Sequence, residues 1–233
     1  MTGQAPRVLT AFVLGRIGYA DALALQKRLV ELRKQKQIED SLLLLEHDPV
    51  VTLGRDGKRD SLLFDDAAYG AKGIEVFESD RGGDATYHGP GQVVAYPIID
   101  LSPDQKDIRK YVYNLEEAMI RTLSAYGISG DRLAGSPGVW LASPERKVGA
   151  IGARISRWIT HHGLALNVNT DLAHFETIIP CGIHDKGVTS MKKELGHGCS
   201  MIEVMDKLAE QLAETLGRTL SRGEISELPI GEL

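Results

Sequence analysis

The chain has 233 residues, of which 42% are hydrophobic and 25% charged, with a formal net charge of −5. That length suits one large α/β domain, and the acidic balance argues against a general nucleic-acid binder, which needs a basic surface. No apolar run approaches the roughly 18 residues that span a bilayer, and two cysteines, Cys181 and Cys199, are too few for a disulfide framework.

Residues 8–14 read as a first strand. Residues 21–35 read as a helix, with Ala22, Leu25, Leu29 and Leu32 on one stripe and basic residues opposite. The apolar run 41–45 fits a buried strand, and 50–53 and 74–77 read as short strands. Residues 81–92 hold four glycines and a proline and predict a loop. Strand character resumes over 93–101. Residues 107–126 form a clear amphipathic pattern, with Ile108, Tyr111, Val112, Leu115, Met119 and Leu123 on one face and Gly127 at the capping position. Residues 139–142, 147–155 and 158–168 read as consecutive strands with turns between them. Residues 170–186 are irregular, and 201–216 read as a last helix. The expected fold class is α/β of the mixed α+β kind, in one domain over residues 1–233, with a weak boundary near Lys186 that allows a small C-terminal subdomain. The first residues carry no basic segment followed by an apolar one. No secretory signal is therefore expected, and the expected location is cytoplasmic.

Four segments carry chemistry. In 81–92, Gly82 and Gly83 let backbone approach a ligand closely, and Arg81, Thr86, Tyr87, His88 and Gln92 concentrate hydrogen-bonding groups. The segment is not a phosphate-binding P-loop. In 147–152, Lys147 heads a strand of small residues that leave a groove for an apolar chain. Read alone, Arg146 and Lys147 are more readily two solvated cations at a strand end. In 158–168, Gly163 and Ala165 add a second small-residue surface. His161 and His162 are adjacent on a strand and are expected on opposite faces, one inward and one to solvent, so they should not ligate one metal together. In 179–183, Pro180 and Gly182 bracket Cys181 in a turn that would present its thiol. A buried structural cysteine, a zinc site from Cys181, His184, His197 and Cys199, and a Cys181–Cys199 disulfide are the competing readings.

Taken together and in order, residues 46–55, 81–92, 147–152, 162–168 and 180–183 resemble the lipoyl(octanoyl) transferases. The resemblance implies a biotin/lipoate protein ligase-like catalytic domain, a large mixed sheet flanked by helices. It implies an acyltransferase that moves an octanoyl group from octanoyl-acyl-carrier protein to a lysine of lipoyl domains, in lipoate biosynthesis. The implied acceptors are the lipoyl domains of 2-oxoacid dehydrogenase complexes and the glycine cleavage H protein. Cys181 matches the thioester nucleophile, and Lys147 matches the lysine that lowers its pKa and moves protons. Arg81, Gly82, Gly83, Asp84, Ala85, Thr86, Tyr87 and His88 match one substrate-binding stretch. Ala150, Ile151 and Gly152 match a second, and Gly163, Leu164 and Ala165 a third. No cofactor and no metal are implied, and neither nucleic acid nor a membrane is an expected partner. An ATP-dependent lipoate or biotin ligase on the same fold is the rival reading. Docking of acidic partners would use cations such as Lys58, Arg59, Arg146, Arg154, Arg157, Lys192 and Lys193.

Overall fold

A computed structural model describes residues 7–102, 105–179 and 186–229. Its centre is set by three strands with apolar residues on both faces: β2 (Asp40–His47), β6 (Gln92–Ile98) and β10 (Ile159–Asn167). Four consecutive leucines, Leu42 to Leu45, are fully buried because alternate side chains enter two different cores. Leu42 and Leu44 face α3 (Ile108–Ala125) and α5 (Met201–Thr215), while Leu43 and Leu45 face α1 (Tyr19–Lys34). The result is a helix–sheet–helix sandwich.

The main sheet is mixed. Its order runs β12 (Thr219–Arg222), β1 (Val8–Ile17), β2, β6, β10, β9 (Arg146–Ser156), β8 (Ser136–Leu141) and β7 (Asp131–Leu133). A two-residue strand, β11 (Gly187–Val188), pairs in parallel with Arg146 and Lys147 at the start of β9. Strand β9 turns into β10 through Arg157 and Trp158, both at positive φ, as a tight hairpin turn of the I′ kind requires. Helix α3 starts at Asp107, whose carboxylate accepts from the Lys110 N–H. It ends at Gly127, with φ +76° and the Ile128 N–H closing back on the Leu123 carbonyl.

A second sheet of three strands packs beside the first, in the order β4 (Glu75–Glu78), β3 (Val50–Leu53), β5 (Ala85–His88). Strand β5 corrects the expectation that 81–92 is loop throughout. The glycines do mark bends, but Ala85–His88 between them pairs antiparallel with β3. Two short helices were not expected either: α2 (Asp66–Ala71), capped by Asp65, and α4 (Met191–Leu195), capped by Ser190.

Candidate active site

A single cavity of about 670 Å³ collects most of the residues singled out from sequence. This is the size range of small-molecule sites, roughly 300–1,000 Å³. Its lining includes Arg81, Gly82, Gly83, Asp84, Ala85, Thr86 and His88 from the loop and β5, with Lys147, Ala150, Ile151 and Gly152 from β9 and Gly163, Leu164 and Ala165 from β10. Tyr87 is the exception. It points to the other face of β5, against His174 and Phe175 at ring distances of 5.0 and 5.5 Å. Burial pushes its hydroxyl pKa up to about 12. Cys181 lies outside the described residues. The chain on either side of it is placed: the Ile179 N–H donates to the Ser61 carbonyl, and Lys186, Gly187 and Val188 line the cavity.

Arg81 is a structural clamp as well as a lining residue. It is buried, and its guanidinium donates to the Thr52 hydroxyl and carbonyl and to the carbonyls of Gly82 and Asp84. This ties the loop to β3. The loop then lies on β9: a Cβ at Gly152 would stand 3.1 Å from both Arg81 Cδ and the Gly82 carbonyl oxygen. Gly163 answers to a different neighbour. A Cβ there would run into the Ala95 carbonyl oxygen on β6, so this glycine lets two strands meet rather than widening a groove.

His88 is buried and lines the cavity. Its Nδ1 donates to Gln92 Oε1 at 2.7 Å, and Gln92 donates in turn to Asn167 Oδ1 and the Tyr87 carbonyl. Burial, with the charges of His47 and Arg81, holds its pKa well below the usual histidine value, so the ring is neutral. His47 stands beside it, with ring centroids 5.6 Å apart. His47 Nδ1–H donates to the Ile17 carbonyl at 2.9 Å, so Nε2 accepts from the Tyr96 hydroxyl at 2.7 Å. Burial lowers the His47 pKa to about 4. With Tyr19, whose ring stacks on His88 at 6.1 Å, these groups make a neutral, hydrogen-bonded floor.

His161 and His162 overturn the opposite-faces expectation. His162 has φ +52°, which breaks the alternation of β10, and both rings are buried beside Asp80. His162 Nε2 donates to Asp80 Oδ1 at 2.8 Å, and His161 Nε2 lies 3.8 Å from Asp80 Oδ2. These three residues are close enough to be considered as metal ligands. The chemistry favours an ion-pair hub instead, because the Arg154 guanidinium already occupies the Asp80 carboxylate. Burial alone would raise the Asp80 pKa, but the His162 hydrogen bond and the charges of His162 and Arg154 outweigh it and hold it low. Arg154 is thereby committed, as are Arg59 to Asp66 and Arg146 to Glu194. Three of the cations named for docking are thus held in internal pairs.

Lys147, on β9, also lines the cavity, with its Nζ 4.6 Å from the centre of the Trp140 ring. The site therefore joins an ammonium, an apolar slot floored by small residues and a neutral polar base.

The sequence matches the model of the lipoyl protein ligase A/B catalytic domain over residues 18–213. The chain belongs to that family. An octanoyltransferase of Myxococcus xanthus is 49% identical over 205 residues, covering 86% of this chain and 57% of that protein's length. An octanoyltransferase of Chloroflexus aggregans is 49% identical over 207 residues, covering 88% of this chain and 94% of its own. The bi-partite lipoate protein ligase of Thermoplasma acidophilum superimposes with a TM-score of 0.74 at 19% identity, over 94% of this chain and 88% of the other. The fold is therefore the one this family shares with lipoate protein ligases. Within this lipoyl protein ligase A/B catalytic domain, sequence reasoning missed Tyr19, Asp80, Tyr96 and Trp140. Tyr96 and Trp140 sit in apolar strands and look like core, and Asp80 gains meaning only from a histidine 82 positions later.

Proposed function

We propose that this chain, as a single catalytic domain, is an octanoyltransferase of lipoate biosynthesis that acts through a thioester on Cys181. The cavity carries this reading: Lys147 lines it together with Ala150, Gly152, Gly163 and Ala165, in a chain nearly half identical to octanoyltransferases. The donor in this reading is octanoyl-acyl-carrier protein. The acceptors are lysines of lipoyl domains, including those of 2-oxoacid dehydrogenase complexes and the glycine cleavage H protein. The setting is the cytoplasm.

In the first step the Cys181 thiolate bonds to the octanoyl carbonyl carbon. The carbon–sulfur bond to the carrier's pantetheine breaks, and Lys147 gives its proton to the departing sulfur. In the second, the acceptor amine attacks the new thioester, neutral Lys147 takes its proton and Cys181 leaves as thiolate. A free thiol with pKa near 8.5 is mostly protonated at neutral pH, and a nearby ammonium enlarges the thiolate fraction. Support for a Lys147–Cys181 pairing comes from the flanking chain, since β11, two residues after Asp185, pairs beside Lys147. Cys199 is a poor alternative: burial, then the charge of Glu203, raises its thiol pKa.

Intact-mass analysis after incubation with octanoyl-carrier protein tests the proposal. The expected result is one octanoyl adduct, lost in Cys181→Ala and kept in Cys199→Ala, with acceptor modification that needs no ATP. Modification that requires ATP and free octanoate would establish the ligase reading instead.

A further inference from the structure

Lys147 and Trp140 are paired residues across β9 and β8. The pairing puts the lysine stem alongside the indole, with Nζ 4.6 Å from the ring centre. Trp140 is 5% exposed and lines the cavity. Its Nε1–H donates to the Ser136 carbonyl at 2.9 Å, so the ring plane is fixed from its own strand. A second ammonium, Lys186, lies 6.0 Å from the same ring centre and is paired with Glu145. The face of an indole carries a negative quadrupole and attracts a cation within about 6 Å. A lysine on a flexible four-carbon stem gains most from such a platform, because the ring limits its rotamers and favours its charged form.

We propose that Trp140 is a positioning residue for the transfer reaction: its indole face holds the Lys147 ammonium at the cavity wall and favours the protonated state. The proposal rests on the reading of Lys147 as the group that gives and takes protons. The two half-reactions need opposite states of that group. Thioester exchange uses the ammonium, as counter-charge and acid, and aminolysis uses the free amine. An indole that favours the ammonium promotes the first step and sets the pH at which the second becomes fast. Trp140 therefore acts on the balance between the steps, which a residue that merely fills space would not do.

Fluorinated tryptophans separate the two roles, because they leave the ring's shape almost unchanged while draining its face of charge. The chain has two tryptophans, so incorporation in a Trp158→Phe background labels Trp140 alone. Single-turnover aminolysis is followed from preformed acyl-enzyme across pH. The expected result is a rising limb that moves stepwise to lower pH with added fluorine, by about half to one unit in total. Acylation at neutral pH should slow several-fold over the same series, with the KM for octanoyl donor unchanged. Trp140→Phe should lie between the natural indole and Trp140→Leu. A limb that stays in place across the series, while Lys147→Ala impairs transfer, overturns the Trp140 proposal alone. Normal aminolysis in Lys147→Ala overturns both it and the reading of Lys147.

Discussion

Replacing Lys147 by arginine keeps a cation against Trp140 but removes the group's ability to lose a proton, since a guanidinium pKa lies above about 12. Lys147→Arg is expected to form acyl-enzyme at a reduced rate and to transfer it to the acceptor lysine at least about a hundredfold more slowly. Lys147→Ala should impair both steps. Quenched time courses of acyl-enzyme and octanoylated acceptor, read by mass, check this; near-normal aminolysis by the arginine variant would reduce Lys147 to a counter-charge. Lys147 drew attention only through the family resemblance, because read alone it is more readily a solvated cation at a strand end. The indole beside it was not legible. Trp140 reads as one more apolar strand residue, and the pairing that gives it a role crosses a bulge between Val139 and Trp140 that no local pattern announces. His162 shows the converse limit. Period-two alternation assigned it a face, and a single positive φ moved it to the Asp80 side.

Among elements, β9 and β10 hold the slot through two glycines with different duties, and their alanine variants should behave differently. Gly163→Ala drives a methyl into the β6 backbone, so it should lower stability by about 1–3 kcal/mol in denaturant unfolding, whatever its effect on activity. Gly152→Ala meets Arg81 Cδ and the Gly82 carbonyl at 3.1 Å, so the loop must give by a few tenths of an ångström, a smaller demand than the backbone clash at Gly163. It should fold normally and narrow the slot, turning donor preference toward shorter chains, at about 0.8 kcal/mol for each CH₂ left unburied. Competition between hexanoyl and octanoyl donors measures that shift; an unchanged ratio would place the acyl chain elsewhere. The long helices and the leucine run of β2 were readable because their periods are strong. Strand β5 was not, because four residues between glycine pairs resemble a turn until β3 supplies the partner. Strand β12, Thr-Leu-Ser-Arg, has no apolar face to read and exists by pairing with β1.

The whole molecule is closed around Asp40, which is fully buried and accepts from Arg7, Arg33 and Arg218, drawn from positions far apart in the chain. Asp40→Asn keeps the shape and removes the charge, leaving the almost fully buried Arg33 and Arg218 uncompensated. A loss of about 3–5 kcal/mol is expected, measured by urea unfolding. Acid should weaken the molecule by a separate route. Burial lowers the pKa of His47 and of His161 to about 4, against an ordinary value near 6.5. Between those values the unfolded chain binds protons that the folded one refuses, so stability is full above about pH 6.5 and falls as pH drops toward 4. The melting temperature should follow that course, and His161→Phe should flatten it; a profile identical to the parent's would mean that His161 does not contribute. The strand that covers β1 is made after every other strand described. Val8 meets Thr219, and Asp40 waits for Arg218, so until those residues are made β1 stands as an open edge with hydrogen-bonding groups unclaimed. On the ribosome this chain cannot finish its sheet domain by domain. It must hold a sticky border in reserve until β12 emerges, and cellular yield should depend on chaperones that shield nascent edges more than the stability of the finished fold would suggest.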